Sequence, residues 1–334
     1  MNIIVTGGAG YIGSHVVTEL VAAGHRPIII DNFSNSEESV IDNLKSLTGQ
    51  DITFYKANFA DVTTLEEIIT KENVEGVIHI AAFKAVGESV EQPLKYYDNN
   101  LCGFVELLKV ANKHNIKHFV FSSSAAVYGT PPVAQVTEET PCAPASPYGW
   151  TKYMDEIVLR DTCAATPALR GVALRYFNVV GAHPSGKIGE LPKGKPQNLL
   201  PIIVQVVAGK LPPLTVYGTD YDTADGSCER DYIHVVDLAK AHVAALEKIS
   251  KQSEGGFEVY NIGTGKPTSV LQMIDVFEKT NGVKVPHAIG ERRAGDPAAY
   301  FAVADKAEKE LGWHATKDLE DGVKSAWEWQ KSLG

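Results

Sequence analysis

Three side chains in the middle of the chain have the types and spacing for proton transfer at an alcohol. Tyr148 and Lys152 stand four residues apart in Tyr148-Gly149-Trp150-Thr151-Lys152, a stretch that reads as the start of a helix. Positions i and i+4 share one helix face, so the phenol and the ammonium can point into one cleft. A free phenol titrates near ~10, but positive charge beside it favours the phenolate and makes it a general base. Upstream, Ser122-Ser123-Ser124 follows an apolar run, which puts small hydroxyls at the end of a strand, and Ser124 can hydrogen-bond the reacting oxygen. By itself Tyr-x-x-x-Lys also fits an exposed pair on an amphipathic helix. The surrounding elements decide between the two.

The N-terminal segment supplies the first of those elements. An apolar strand at residues 3–5 leads into Gly7-Gly8-Ala9-Gly10-Tyr11-Ile12-Gly13, then a helix, then the strand Ile28-Ile29-Ile30 ending in Asp31. Gly7, Gly10 and Gly13 allow a tight turn that can approach a pyrophosphate, and the helix opening at Tyr11 and Ile12 offers unpaired N–H groups. Asp31 lies where a carboxylate accepts both ribose hydroxyls of an adenosine, and its charge opposes a 2′-phosphate. The segment therefore predicts a dinucleotide site for NAD rather than NADP. An oxidised nicotinamide ring would add positive charge beside Tyr148.

Composition sets outer limits. The chain has 334 residues, 44% of them hydrophobic, with 31 Lys plus Arg against 41 Asp plus Glu and a net charge of −10. That balance argues against nucleic acid or an anionic membrane as partner. An anionic ligand must then be held by a few placed cations, which makes single arginines informative. Cys102, Cys142, Cys163 and Cys228 are widely spaced and read as free thiols, with no metal-site spacing. The first residues enter a strand directly and no apolar stretch reaches the roughly 20 residues a bilayer span needs, so a cytoplasmic protein is expected.

Apolar strands are predicted at 52–56, 76–80, 117–122 and 170–175, and helices at 62–73, 93–114 and 146–166. Strands alternating with helices imply a Rossmann-type, doubly wound parallel sheet whose ligands gather at the carboxyl ends of the strands. From residue 181 the texture becomes more irregular, so the expected division is a dinucleotide domain over 1–180 and a smaller substrate lobe over 181–334. Parts of 230–265 are expected to complete the sheet.

Together these features match the extended branch of the short-chain dehydrogenase/reductase superfamily. The chain resembles its UDP-glucose 4-epimerase family along nearly the whole length. Gly7–His15, Asp31–Ser36, Phe83–Val90, Tyr97–Asn100, Ser146–Lys152, Arg175–Asn178, Arg230–His234 and Arg293–Asp296 carry the likeness. The resemblance implies that Ser124, Tyr148 and Lys152 are catalytic. It also implies that the Asp31, Asn32, Asn35, Ser36, Asn58, Phe59, Lys84, Asn99 and Tyr176 positions line the NAD site. Asn178, Asn198, Leu199, Tyr217, Arg230, Arg293, Asp296 and Tyr300 would line the nucleotide-sugar site, with Tyr217 near the uracil and Asp296 on ribose hydroxyls. Arg230 and Arg293 are bidentate donors suited to a diphosphate; their alternative is local pairing with Asp231 and Asp296. A homodimer through the helices near 93–114 and 146–166 is also implied.

The implied reaction is C4 epimerisation of UDP-galactose and UDP-glucose through a 4-keto sugar, with hydride held on NAD. A 4,6-dehydratase of the same superfamily would carry Thr-Asp-Glu where this chain has Ser124-Ala125-Ala126, and the two alanines cannot move protons. A non-catalytic NAD sensor would be expected to lose Tyr148 or Lys152. Asn58 stands where relatives usually place an acid that takes the adenine amino group, with Asp61 a nearby substitute whose simpler role is an N-cap. The bulk of Tyr300 argues against N-acetylated sugars. Gly181-x-x-x-x-Gly186-Lys187 lacks the Ser or Thr of a P-loop and reads as the loop into the second lobe. Gly263-Thr264-Gly265 reads as a turn with Thr268 or Ser269 as the next N-cap, and His79 as a packed core histidine.

Overall fold

A computed structural model of the protein describes residues 1–293 and 296–334. Its centre is a seven-stranded parallel sheet of β1 (Asn2–Thr6), β2 (Arg26–Asp31), β3 (Thr53–Lys56), β4 (Gly76–His79), β5 (His118–Ser122), β7 (Arg170–Tyr176) and β11 (Gly256–Ile262). The order is β11-β7-β5-β4-β1-β2-β3, so the direction of winding reverses between β1 and β4. At such a switch point the connections leave in opposite directions and open a crevice at the carboxyl ends. The strands are apolar almost throughout because helices cover both faces. Val16, Leu20 and Leu238 pack on one side, and Leu65, Phe104 and Leu159 on the other.

A smaller sheet contains β6 (Gln135–Val136), β8 (Asn178–Val180), β10 (Glu229–His234), β12 (Pro267–Ser269) and β14 (Ala299–Ala302). β10 is its hub. Residues 229–230 pair with β14 and residues 232–234 with β8, which sets Arg230 opposite Tyr300 and Tyr232 opposite Asn178. Of the stretch expected to complete the large sheet, β11 does so at its edge while β10 belongs to the smaller sheet. A parallel ribbon pairs β9 (Leu214–Tyr217) with β13 (His287–Gly290). A separate core of Leu200, Ile203, Met273, Phe277 and Val323 underlies this region.

The long helix expected over 93–114 is a continuous helical run of three parts: Pro93–Tyr96, a π-helical stretch Tyr97–Cys102, and Gly103–Lys113. The π turn rotates Asn99 and Asn100 relative to the regular helix, a distortion that recurs at functional sites. Among the described residues no helix is long and apolar enough to cross a membrane.

Candidate active site

At the β1 end, Gly7 turns with φ +69°, and a Cβ there would meet the main chain of Ala81 at 3.0 Å. A Cβ on Gly13 would come within 2.1 Å of the Gly7 carbonyl, so only glycine lets the helix Tyr11–Ala22 start this close to the turn. Gly10 caps that helix, and the amides of Tyr11 and Ile12 have no carbonyl of their own helix to bond. The Tyr11 hydroxyl donates to the Gly181 carbonyl at 2.6 Å, joining the turn to the residue that follows β8.

Asp31 is 8% exposed at the end of β2. One oxygen accepts from the Ala9 amide at 3.1 Å; the other accepts from the Phe33 amide at 2.8 Å and the Ser36 hydroxyl at 2.9 Å. The carboxylate is thus fixed against the glycine turn with one lone-pair position to spare. A cradle that only glycine can form, open helix amides and an oriented carboxylate fit the pyrophosphate and adenosine ribose of NAD.

The other residues expected at the cofactor have local partners of their own. Asn32 turns back on the Ser34 amide, and Asn35 accepts from the Lys193 amide. Asn58 spends one acceptor position on the Ala60 amide at 3.0 Å, leaving its second lone pair and its NH2 for an adenine. Phe59 is buried beside His79. Asp61 caps the helix Val62–Glu72 by accepting from the Thr64 amide, its simpler expected role. Lys84 pairs with Glu190 at 2.9 Å, and Asn99 donates to Asn100.

The proton-transfer group forms where β5 meets the helix Pro147–Ala165. Ser146 caps that helix by accepting from the Gly149 amide, and Pro147 suits its first position. Tyr148 and Lys152 are then one turn apart and buried, at 8% and 2% exposure. Lys152 donates to the Ser122 carbonyl at 2.9 Å and sits 4.7 Å from the centre of the Phe121 ring. Ser124 accepts from the Ala126 amide at 3.1 Å, which leaves its hydroxyl proton free to donate.

Burial governs the titration of both partners. It pushes the Tyr148 phenol up to about 12; the Ser124 hydroxyl works against the rise, and the Tyr300 and Asp155 charges add to it. Burial also lowers the Lys152 ammonium to about 8, while Asp155 and Glu156 pull it back up. Tyr176, behind them, is likewise raised by burial.

Of the residues expected on the substrate side, the smaller sheet carries Asn178, Arg230 and Tyr300. The Arg230 guanidinium lies 5.3 Å from the centre of the Tyr300 ring, and Tyr300 in turn packs on Phe177. Arg230 pairs with Asp296, while Arg293 stacks 4.0 Å from the centre of the Tyr217 ring. Among the described residues, side-chain pairing of Arg230 with Asp231 and of Arg293 with Asp296 does not occur. Asp231 accepts instead from Thr264, Gly265 and Ala302. Ala294 and Gly295, between Arg293 and Asp296, lie outside the described residues. Asn198 and Leu199 stand at the start of the helix Leu199–Val207, and Asn178 opens β8.

Several contributors are not visible from spacing. The buried Arg175–Glu156 pair, 2.6 Å apart, anchors the Tyr148 helix to β7, and the Ser123 hydroxyl donates to the same carboxylate at 2.5 Å. An arginine in an otherwise buried strand was the available signal, since it must find a buried carboxylate. Asn100 joins the main chain of Phe83 to Thr151 on the Tyr148 helix. The Gly263-Thr264-Gly265 turn cradles Asp231, where a Cβ on Gly263 would lie 2.6 Å from the carboxylate. Ser269 caps the following helix. His79 is a core residue, bonded to Thr6 at 2.8 Å and held well below its usual value by burial.

Comparison with known proteins agrees with this geometry. Residues 3–263 match the model of the NAD dependent epimerase/dehydratase family. A UDP-glucose 4-epimerase of Bacillus subtilis is 49% identical over 332 residues, covering 99% of this chain and 97% of that protein. The crystal structure of a UDP-glucose-4-epimerase from Stenotrophomonas maltophila with bound NAD and formylated UDP-arabinopyranose superposes with a TM-score of 0.97 at 45% identity, covering 100% of this chain and 98% of that one. A Bifidobacterium longum UDP-glucose 4-epimerase in complex with NAD+ and UDP gives 0.94 at 48% identity, covering 99% and 98%. The chain belongs to the NAD dependent epimerase/dehydratase family, in its UDP-glucose 4-epimerase branch.

Proposed function

We propose that the protein interconverts UDP-galactose and UDP-glucose at C4 through a 4-keto sugar, with Tyr148 moving the proton of the 4-hydroxyl. The observation that carries this reading is the buried Tyr148–Lys152 pair, with a partly buried Ser124 just past the end of β5, in the same parallel sheet whose β1 and β2 ends carry the glycine turn and an oriented Asp31. Bound NAD supplies the hydride acceptor and donor and, when oxidised, positive charge that favours a phenolate. Tyr148 Oη takes the 4-hydroxyl proton and later returns it. Ser124 donates to the same sugar oxygen. Lys152, anchored on the Ser122 carbonyl, holds its charge beside the tyrosine and keeps two N–H donors for a ribose.

Epimerisation requires the keto sugar to present its other face, so the nucleotide must be held and the hexose left free. Arg230, Arg293 and Asn198 serve the diphosphate in this reading; Tyr217, Asp296 and Leu199 serve the uridine; Asn178 and Tyr300 border the sugar. Tyr300, near Tyr148 and backed by Phe177, narrows that border against an N-acetyl group. Homodimerisation is proposed through the helical faces carrying Leu94, 81% exposed, and Trp150, 39% exposed, since an apolar surface of this kind seeks a partner. The cytoplasm is the proposed location.

The test supplies UDP-galactose to the purified protein without added cofactor. Formation of UDP-glucose, with NAD carried through purification, supports the proposal. Accumulation of a 4-keto-6-deoxy sugar would make it a dehydratase.

A further inference from the structure

We propose that Glu190 is a positioning residue that couples the two ligand pockets, because one carboxylate oxygen holds a donor from each. The inference rests on the proposed roles of Lys84 toward the cofactor and Asn198 toward the nucleotide sugar. Glu190 Oε1 accepts from Lys84 Nζ at 2.9 Å and from Asn198 Nδ2 at 3.4 Å. Its side chain is 12% exposed, while that of Lys84 is 51% exposed, so a sheltered carboxylate steers a cation that reaches into the open.

The surrounding chain fixes the carboxylate from behind. The Glu190 carbonyl accepts from Trp329 Nε1 at 3.0 Å, and a Cβ on the preceding Gly189 would lie 2.5 Å from the Trp329 ring, so glycine allows the loop to press against the indole. A few residues on, the Lys193 amide donates to Asn35 and its ammonium to the Phe33 carbonyl, both beside Asp31. Segment 189–198 therefore runs from the C-terminal helix Leu319–Ser332 across the cofactor side to the start of the helix Leu199–Val207.

The stereochemistry at each donor gives this arrangement a consequence. Asn198 stands at the N-cap of its helix without capping it by a side-chain bond, which leaves its amide free to turn toward Glu190. With one Nδ2 hydrogen committed there, the other has a defined direction for a phosphate oxygen. Lys84 likewise keeps two of its three hydrogens. Glu190 brings negative charge close to two diphosphate sites, a cost to anion binding that it offsets only by orienting these donors. Whatever draws Lys84 toward the cofactor shifts the shared oxygen, and Asn198 with it, so occupancy of one pocket changes affinity in the other, reciprocally.

The test measures UDP binding by calorimetry to the NAD-loaded protein, alongside NAD retained after gel filtration. Asn198→Ala is expected to weaken UDP and Lys84→Ala to release NAD; if neither does, the assignment of the two pockets fails, independently of Glu190. With that assignment standing, Glu190→Ala is expected to weaken UDP at least about fivefold, Glu190→Gln to restore part of the loss, and Glu190→Ala to change UDP affinity less than about twofold in the Asn198→Ala background. Lys84→Ala is expected to alter UDP affinity in the parent but not in the Glu190→Ala background. Unchanged UDP affinity in Glu190→Ala, or equal losses from Glu190→Ala in the parent and in the Asn198→Ala background, overturns the coupling. If Glu190→Ala does not fold, Glu190→Gln carries the same comparisons.

Discussion

Lys152 donates to the main-chain carbonyl of Ser122 at 2.9 Å, tying the helix that carries Tyr148 to the last residue of a central strand. The bond fixes the ammonium one turn from the phenol and in the same layer as Ser124. It also occupies one of three donors, so the charge is anchored while the remaining hydrogens stay free. Burial, however, raises the phenol more than the Ser124 hydroxyl lowers it.

Loss of the proton carrier follows directly from that geometry. Tyr148→Phe keeps the ring and its packing but removes the only phenolic oxygen at that position. Turnover of UDP-galactose is expected to fall by about 10²–10⁴, with retained NAD unchanged. A fall of less than about tenfold in steady-state kcat, in the range a non-catalytic contact would give, contradicts the assignment.

Sugar tolerance turns on Tyr300. The unmodified protein is expected to turn over UDP-N-acetylgalactosamine poorly, and Tyr300→Ala to raise kcat/KM for it at least about tenfold, the scale of one pocket-filling group. Both constants are read from coupled assays on the two UDP-sugars. Comparable turnover of both by the unmodified protein removes the steric account.

Asp155 makes a pH-dependent prediction. It is fully buried, neither carboxylate oxygen has a hydrogen-bond partner among the described residues, and burial holds its carboxyl well above the usual range. An unfolded aspartate titrates near ~3.9. Below that pH both states carry the proton. As pH rises past it the unfolded chain releases the proton while the folded protein keeps it, so the native state loses about 1.4 kcal/mol per pH unit until the folded value is reached. Asparagine does not titrate, so Asp155→Asn is expected to gain thermal stability over the parent as pH rises through the interval from 4 to 8, levelling off where the folded value is passed. A Tm difference that stays constant over that interval contradicts it.

The buried Arg175–Glu156 pair predicts a non-additive pair of variants. The side chains are 6% and 3% exposed, so Glu156→Met leaves an arginine charge buried without its partner and is expected to cost about 3–5 kcal/mol. Adding Arg175→Met should recover part of that loss, read by chemical denaturation. A double variant less stable than Glu156→Met alone contradicts the assignment.

The parts of this molecule that were legible in the sequence are those built from local rules. The Gly7–Gly13 turn, Asp31 at a strand end, Tyr148 and Lys152 one helical turn apart and the Asp61 cap all depend on contacts or spacings within one element or two. Pairings between distant segments were not legible. Arg230 reaches Asp296 and not its neighbour Asp231, because β10 sets it against β14 while the glycine turn at 263–265 claims Asp231. Glu190 lies in a Gly- and Pro-rich loop whose periodicity carries no signal, and its partners are fixed by how the C-terminal helix holds that loop. The π-helical turn at Asn99 and Asn100 likewise left no mark in the apolar pattern.

The central claim is that hydride taken from C4 goes back to C4 of the same sugar while Tyr148 handles the proton. The most direct measurement supplies UDP-galactose deuterated at C4 to the purified protein, with unlabelled NADH in the surrounding solution, and reads the label in the product by mass spectrometry and NMR. The account predicts UDP-glucose that keeps its deuterium at C4, with none in the free NADH. Loss of the label to solvent or to free cofactor, or its appearance at another carbon, would contradict it.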